Sequence, residues 1–150
     1  IALWCGIANG AEQILIPEKF DNNYDKLIEE IKNNRASGMT HQIIVNAEGI
    51  GHSYGLAKKI EEATGIETRA TILGHLQRGG SPTARDRVYA SVMGAYAIDC
   101  IEKGKKNRLI GYKEGHVYDV DIKEAFQMTK SIDDYEYEVA GILGTRCEYK

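Results

Sequence analysis

Apolar residues recur along this chain at two different spacings. Tyr24, Leu27, Ile28 and Ile31 fall at i, i+3, i+4 and i+7, which puts them on one face of an α-helix. Asp21, Asn22 or Asn23 offers a cap at its start and Gly38 a stop. Leu56, Ile60 and Ala63 predict a second helix, opened by Ser53 and closed by Gly65. Val88, Val92, Ala95, Ile98 and Ile101 carry a longer one to Gly104, with Ser81-Pro82 as N-cap and first helical position. Residues 1–8 read as the end of a helix stopped by Gly10. Between these lie short apolar runs, "QILIP" (13–17) and "QIIVN" (42–46), which predict strands, and "TRATIL" (68–73) predicts a third. "RLIGYKEGHVYDVD" (108–121) predicts two extended segments about a turn at Glu114-Gly115. Two shorter helices are expected near 121–128 and 132–143.

Strands that are apolar throughout, alternating with helices, predict an α/β fold: a mostly parallel sheet with helices on both faces. Segments that follow strands then emerge at the carboxyl edge, where ligands of open α/β sheets bind. Glu48 follows the second strand, and His75 and Arg78 follow the third, so all three are expected at that edge. Glu12 and residues 35–41 precede strands and are expected at the opposite edge.

The chain has 150 residues, 43% apolar and 27% charged, ordinary for a soluble globular domain with a real core. A net charge of -3 gives no reason to expect nucleic acid or membrane binding, and no apolar run approaches the roughly 20 residues of a membrane span. Cys5, Cys100 and Cys147 are far apart and odd in number. They read as reduced thiols of a cytoplasmic protein rather than a disulfide framework or metal site. The chain opens on Ile1 as though already inside a helix, so a preceding N-terminal portion is expected.

The candidate chemistry concentrates in "GHLQRGGSPTARDR" (74–87). Glycines let backbone approach a ligand closely, and a helix start after Ser81-Pro82 favours negative charge. Arg78 adds a planar donor fork and His75 a second donor, with Arg69 close by in sequence. Together they predict a phosphomonoester site. "GGSP" is no Walker loop, because no Gly-Lys-Ser/Thr follows it, and "GIGHSYG" (49–55) reads as a turn rather than a dinucleotide fingerprint.

"RATILGHLQRGGSPTARDR" (69–87) closely resembles the signature of the 6-phosphofructokinases, and "GIANGAE" (6–12), "VNAEGIG" (45–51) and "ASVMGAYAIDCIEKGK" (90–105) resemble the bacterial ATP-dependent type. The likeness covers essentially the whole chain but only the C-terminal half of such an enzyme. It implies a substrate-binding core over 1–80, a segment over 81–130 packing toward a nucleotide-binding domain, and a C-terminal helix over 131–150 returning to the core. By the same resemblance His75 and Arg78, with the intervening Leu76 and Gln77, hold the 6-phosphate of fructose 6-phosphate. Arg69 reaches that phosphate from a neighbouring subunit of a homotetramer, and Glu48 accepts hydrogen bonds from the sugar hydroxyls. Gly10, Ala11 and Glu12, with Met39, Thr40 and His41, would line an allosteric nucleotide site in which Glu12 meets the effector's magnesium. The stretch "SGMTH" (37–41) lacks the basic residues usual there, so weakened regulation is expected. The implied reaction is phosphorylation of fructose 6-phosphate at its 1-hydroxyl by MgATP. ATP and Mg2+ are held mainly by the other half, which also carries the catalytic base. This half alone is expected to be inactive, and none of its residues is assigned as catalytic. A pyrophosphate-dependent phosphofructokinase and a non-catalytic sugar-phosphate-binding domain are the rival readings.

Overall fold

Each apolar stripe with a proper start and stop becomes a helix in the computed structural model, which describes residues 1–129 and 131–144. Helix α1 (Ala2–Asn9) ends at Gly10 with φ 62°, a left-handed stop that glycine makes without steric cost. Strand β1 spans Gln13–Leu15 and β2 Ile44–Asn46. Helix α2 (Tyr24–Ala36) is capped by Asn23, whose side chain accepts from the Lys26 N–H at 3.0 Å. Helix α3 (Ser53–Thr64) stops at Gly65 with φ 68°. Helix α4 spans Ala84–Glu102, strands β3 and β4 span Arg108–Lys113 and His116–Asp121, and helices α5 (Ile122–Ala125) and α6 (Asp134–Gly144) follow. The described residues divide into two compact units, residues 1–72 with 131–144 and residues 73–129; Cys147 lies outside the described residues.

In the first unit β1 and β2 pair in parallel, Gln13 opposite Ile44 and Leu15 opposite Asn46. Successive side chains of β1 leave by opposite faces. Leu15 enters a core with Leu27, Ile28 and Ile31 of α2 and Leu56 and Ile60 of α3. Ile14 meets α1 on the other side, so closely that a Cβ on Gly6 would fall on the Ile14 side chain. Helices therefore cover both faces, and α6 packs on α1 and β1. Ala63, expected on the buried face of α3, is exposed; Ala57 is buried in its place, one residue from Leu56.

The expected third strand does not form. Residues 68–73 carry no strand pairing. Their composition favours extended backbone, but a strand also needs a neighbour to complete its ladder, and neither β1 nor β2 pairs with them. The segment instead leads out of the first unit, whose main body ends at Ile72.

In the second unit β3 and β4 form an antiparallel hairpin with Lys113 opposite His116. Its two-residue turn has φ 52° at Glu114 and 86° at Gly115, the doubly positive backbone that matches strand twist. Helix α4 packs on this hairpin. Its expected apolar stripe faces away: Val88, Val92, Ile98 and Ile101 are 50–68% exposed.

Candidate functional site

Gly74–Arg78 form a short 3-10 helix bounded by two glycines, Gly74 with φ 50° and Gly79 with φ 79°. A 3-10 helix has 3.0 residues per turn, so side chains three apart eclipse. His75 and Arg78 are three apart and thus share a face of the turn. His75, Leu76, Gln77 and Arg78 are all exposed, and no side-chain hydrogen bond or ion pair within the described residues engages His75, Gln77 or Arg78. Among the described residues these donors are uncommitted.

The helix that follows begins later than expected. Its N-cap is Thr83, not Ser81. Thr83 Oγ1 accepts from the Asp86 N–H at 3.3 Å, and the Thr83 N–H donates to Asp86 Oδ2 at 2.8 Å. This reciprocal capping box needs an acidic or amide residue three after the cap; Thr83 has Asp86 and Ser81 has Ala84, so Thr83 prevails. The Thr83 hydroxyl also holds the Asp86 carboxyl below its ordinary pKa. A carboxylate therefore already sits at the positive end of α4, and the helix terminus offers a phosphate less than expected.

Glu48 lies in a turn just past the carboxyl end of β2. The Ala47 N–H donates to the Leu15 carbonyl at 2.9 Å and the Ile50 N–H to the Ala47 carbonyl at 3.0 Å, enclosing Glu48 and Gly49. Gly49 has no room for a side chain, since a Cβ would stand 2.7 Å from Pro17 Cγ. Glu48 is exposed, and its carboxylate has no partner among the described residues. Arg69 is exposed and its guanidinium engages Glu67, with Nε 2.9 Å from Oε1. Glu48 and Arg69 belong to the first unit and the His75–Arg78 turn to the second. The shared sheet edge expected for Glu48 and His75 rested on a third strand, which is absent.

The opposite end of the parallel pair is internally stitched. Gly10 is the left-handed stop of α1 and Ala11 is buried. Glu12 Oε2 accepts from the Ile43 N–H at 2.6 Å, joining the entries of both strands. Arg35 Nη1 donates to the carbonyls of Met39 (3.2 Å) and Thr40 (3.4 Å), while Thr40 Oγ1 and His41 Nδ1 lie 3.2 Å apart. A guanidinium thus stands beside the stretch that lacks its own Lys or Arg, which the local sequence "SGMTH" hid because Arg35 comes from the last turn of α2. A cleft of about 100 Å³ opens alongside, lined by residues 11–14 and by Tyr137, Ala140 and Gly141 of α6. Among the described residues no three His, Cys, Asp or Glu side chains gather in a metal-holding group. Glu12, with one oxygen committed to Ile43, makes no metal cage by itself.

Two features escaped sequence reasoning. Asn46, the polar residue that ends an otherwise apolar strand, donates to the Gly51 carbonyl and to Ser53 Oγ, both at 2.9 Å. In the second unit the Asp119 side chain is only 5% exposed. It accepts from Lys105 Nζ (2.8 Å), the Tyr96 hydroxyl (2.9 Å) and Arg108 Nε (2.6 Å). The Lys105 hydrogen bond, then that of Tyr96, holds the Asp119 carboxyl far below the usual carboxylate range, and Asp119 in turn raises Tyr96 and Lys105. These partners lie on α4, the loop after it and β3, 11–23 residues from Asp119. No local motif announces the cluster.

Residues 1–101 match the family model described as Phosphofructokinase. The chain is 54% identical over 144 residues to "ATP-dependent 6-phosphofructokinase 1" of Clostridium perfringens, covering 95% of this chain and 44% of that protein. It is 50% identical over 143 residues to "ATP-dependent 6-phosphofructokinase" of Clostridium botulinum, with the same shares covered. The chain therefore spans less than half the length of these relatives. Among solved structures it is similar to phosphofructokinase from Saccharomyces cerevisiae, with TM-score 0.68 and 23% identity over 99% of this chain and 24% of that one; that likeness concerns the fold. Among the described residues no helix is long and apolar enough to cross a membrane.

Proposed function

The chain belongs to the phosphofructokinase family, and on that premise we propose that it is the sugar-phosphate-binding part of an ATP-dependent 6-phosphofructokinase working in the cytoplasm. The observation that carries this reading is the pairing of His75 and Arg78 on one face of a 3-10 turn, with no side-chain partner among the described residues. A phosphate dianion placed there receives a guanidinium fork and an imidazole N–H. Arg69 contributes from a neighbouring subunit of a homotetramer, exchanging its exposed contact with Glu67 for the phosphate. Glu48 accepts from hydroxyls of the sugar, a role suited to a carboxylate that accepts from no other group among the described residues.

The reaction is transfer of the γ-phosphoryl group of MgATP to the 1-hydroxyl of fructose 6-phosphate. Such transfer depends on positioning and electrostatics rather than on covalent catalysis. This chain's share is to hold and orient the sugar phosphate, and it supplies no catalytic base. The magnesium and ATP of the transfer itself are held mainly by residues outside this chain. At the other end of the parallel pair, Gly10, Ala11, Glu12 and residues 39–41 form the effector edge. A magnesium carried by a nucleotide needs only one or two carboxylates, and among the described residues Glu12 retains one free carboxylate oxygen. With Arg35 supplying the guanidinium beside this stretch, and its Nη1 already donating to two carbonyls, anionic effectors are held weakly.

The test is steady-state assay of the full-length protein that carries this chain, with fructose 6-phosphate and either ATP or pyrophosphate. Turnover with ATP is expected. Turnover with pyrophosphate alone establishes the pyrophosphate-dependent enzyme instead, and binding of fructose 6-phosphate without turnover from either donor establishes a sensor.

A further inference from the structure

We propose that Asn46 is a positioning residue for Glu48, closing the neck of the loop that carries it; the inference rests on the reading of Glu48 as an acceptor for sugar hydroxyls. Asn46 ends β2 opposite Leu15. Its Nδ2 bridges to the Gly51 carbonyl and to Ser53 Oγ at the first residue of α3, each at 2.9 Å. The chain between these anchors makes a tight excursion. Glu48 and Gly49 turn back through the Ile50-to-Ala47 hydrogen bond, Gly49 presses on Pro17, and Gly51 and His52 both take positive φ, 73° and 51°. Positive φ carries some cost for any residue with a Cβ, so something must hold the excursion in place.

The Asn46 amide does this, and at a cost. Its Oδ1 is buried with no hydrogen-bond partner among the described residues, although buried acceptors are nearly always paired. The amide cannot gain by flipping, since that would set its oxygen against the Gly51 carbonyl oxygen. A valine would continue the apolar pattern of Ile44 and Val45 and leave no orphan acceptor. What asparagine adds is the pair of donors at the neck. Among the described residues the Glu48 carboxylate has no side-chain partner to aim it, so its position depends on the backbone turn that Asn46 clamps.

The experiment is a double-mutant cycle in the full-length protein, reading KM for fructose 6-phosphate, KM for ATP and kcat. Asn46→Ala is expected to raise KM for fructose 6-phosphate by about three- to tenfold through misplacement of one contact, with kcat and KM for ATP little changed. In a Glu48→Ala background the same substitution is expected to add less than about twofold, because residues acting through one another are not additive. A merely structural asparagine would act equally in both backgrounds, and that result overturns the proposal. So does an Asn46→Ala protein with unaltered KM when Glu48→Ala raises it. An unaltered KM in Glu48→Ala itself refutes the sugar-contact reading and removes the premise. If Asn46→Ala does not fold, Ser53→Ala removes one of the two anchors and takes its place in the cycle, with a smaller rise expected in the parent and none in Glu48→Ala; equal rises in both backgrounds, or none in the parent, overturn the proposal.

Discussion

Arg78→Ala separates binding from folding unusually cleanly. The guanidinium is exposed and has no partner among the described residues, so its loss leaves stability within about 0.5 kcal/mol of the parent. Gly74 and Gly79 and the backbone bonds Leu76 N–H to Leu73 and Gly79 N–H to Leu76 keep the turn itself intact. The whole effect then falls on the phosphate. A hydrogen bond to a charged group contributes about 1.5–3 kcal/mol, and tenfold in affinity is about 1.4 kcal/mol. Loss of the fork therefore raises KM for fructose 6-phosphate by about tenfold to a hundredfold, while KM for ATP stays near the parent value. Arg78→Lys retains the charge without the bidentate fork and falls between the two. The assay is initial-rate kinetics of the full-length protein against fructose 6-phosphate, with a thermal melt to show unchanged folding. A rise below about threefold, well under 1.4 kcal/mol, with an unchanged melt would refute Arg78 as a phosphate ligand.

Ile60 is 2% exposed and packs with Leu15, Leu27, Ile28, Ile31 and Leu56; Ile60→Ala deletes three carbons at about 0.8 kcal/mol each plus a cavity term, so equilibrium urea unfolding should show a loss of about 3–4 kcal/mol, and a loss below about 1 kcal/mol would mean this core does not form. Asp119 has a folded-state pKa depressed by Lys105, Tyr96 and Arg108, so its stabilisation is present above the unfolded carboxylate value of about 3.9 and fades as pH falls below it through the folded value. Melts from pH 7 to pH 2 should show Asp119→Asn with a lower Tm at neutral pH and a shallower acid slope than the parent; coincident curves would refute a structural role for the cluster. ADP and phosphoenolpyruvate should shift the fructose 6-phosphate dependence of the full-length protein only weakly, and strong activation by ADP would show that Arg35 and Glu12 suffice for the effector edge.

The helices were legible because their signals are local. Asn23 as cap, Gly10 and Gly65 as left-handed stops, and Glu114-Gly115 as the hairpin turn each act within a few residues of themselves. The start of α4 was misplaced by two positions for an equally local reason: Ser81-Pro82 competes with a Thr83–Asp86 box that forms two reciprocal bonds instead of one. The third strand failed for a non-local one. Apolar, β-branched residues at 68–73 state a preference for extended backbone, but pairing belongs to two segments at once.

For the candidate site the division is the same. The spacing of His75 and Arg78, the glycines around them and the carboxylate after β2 are written in the order of residues. Whether three-residue spacing means a shared face depended on the turn being 3-10 rather than extended, and that emerged from the fold. The latch of Glu12 on Ile43 and the burial of Asp119 among three donors were decided by tertiary structure alone. Each joins groups whose distance is set by how elements pack, a quantity that no single stretch of chain contains.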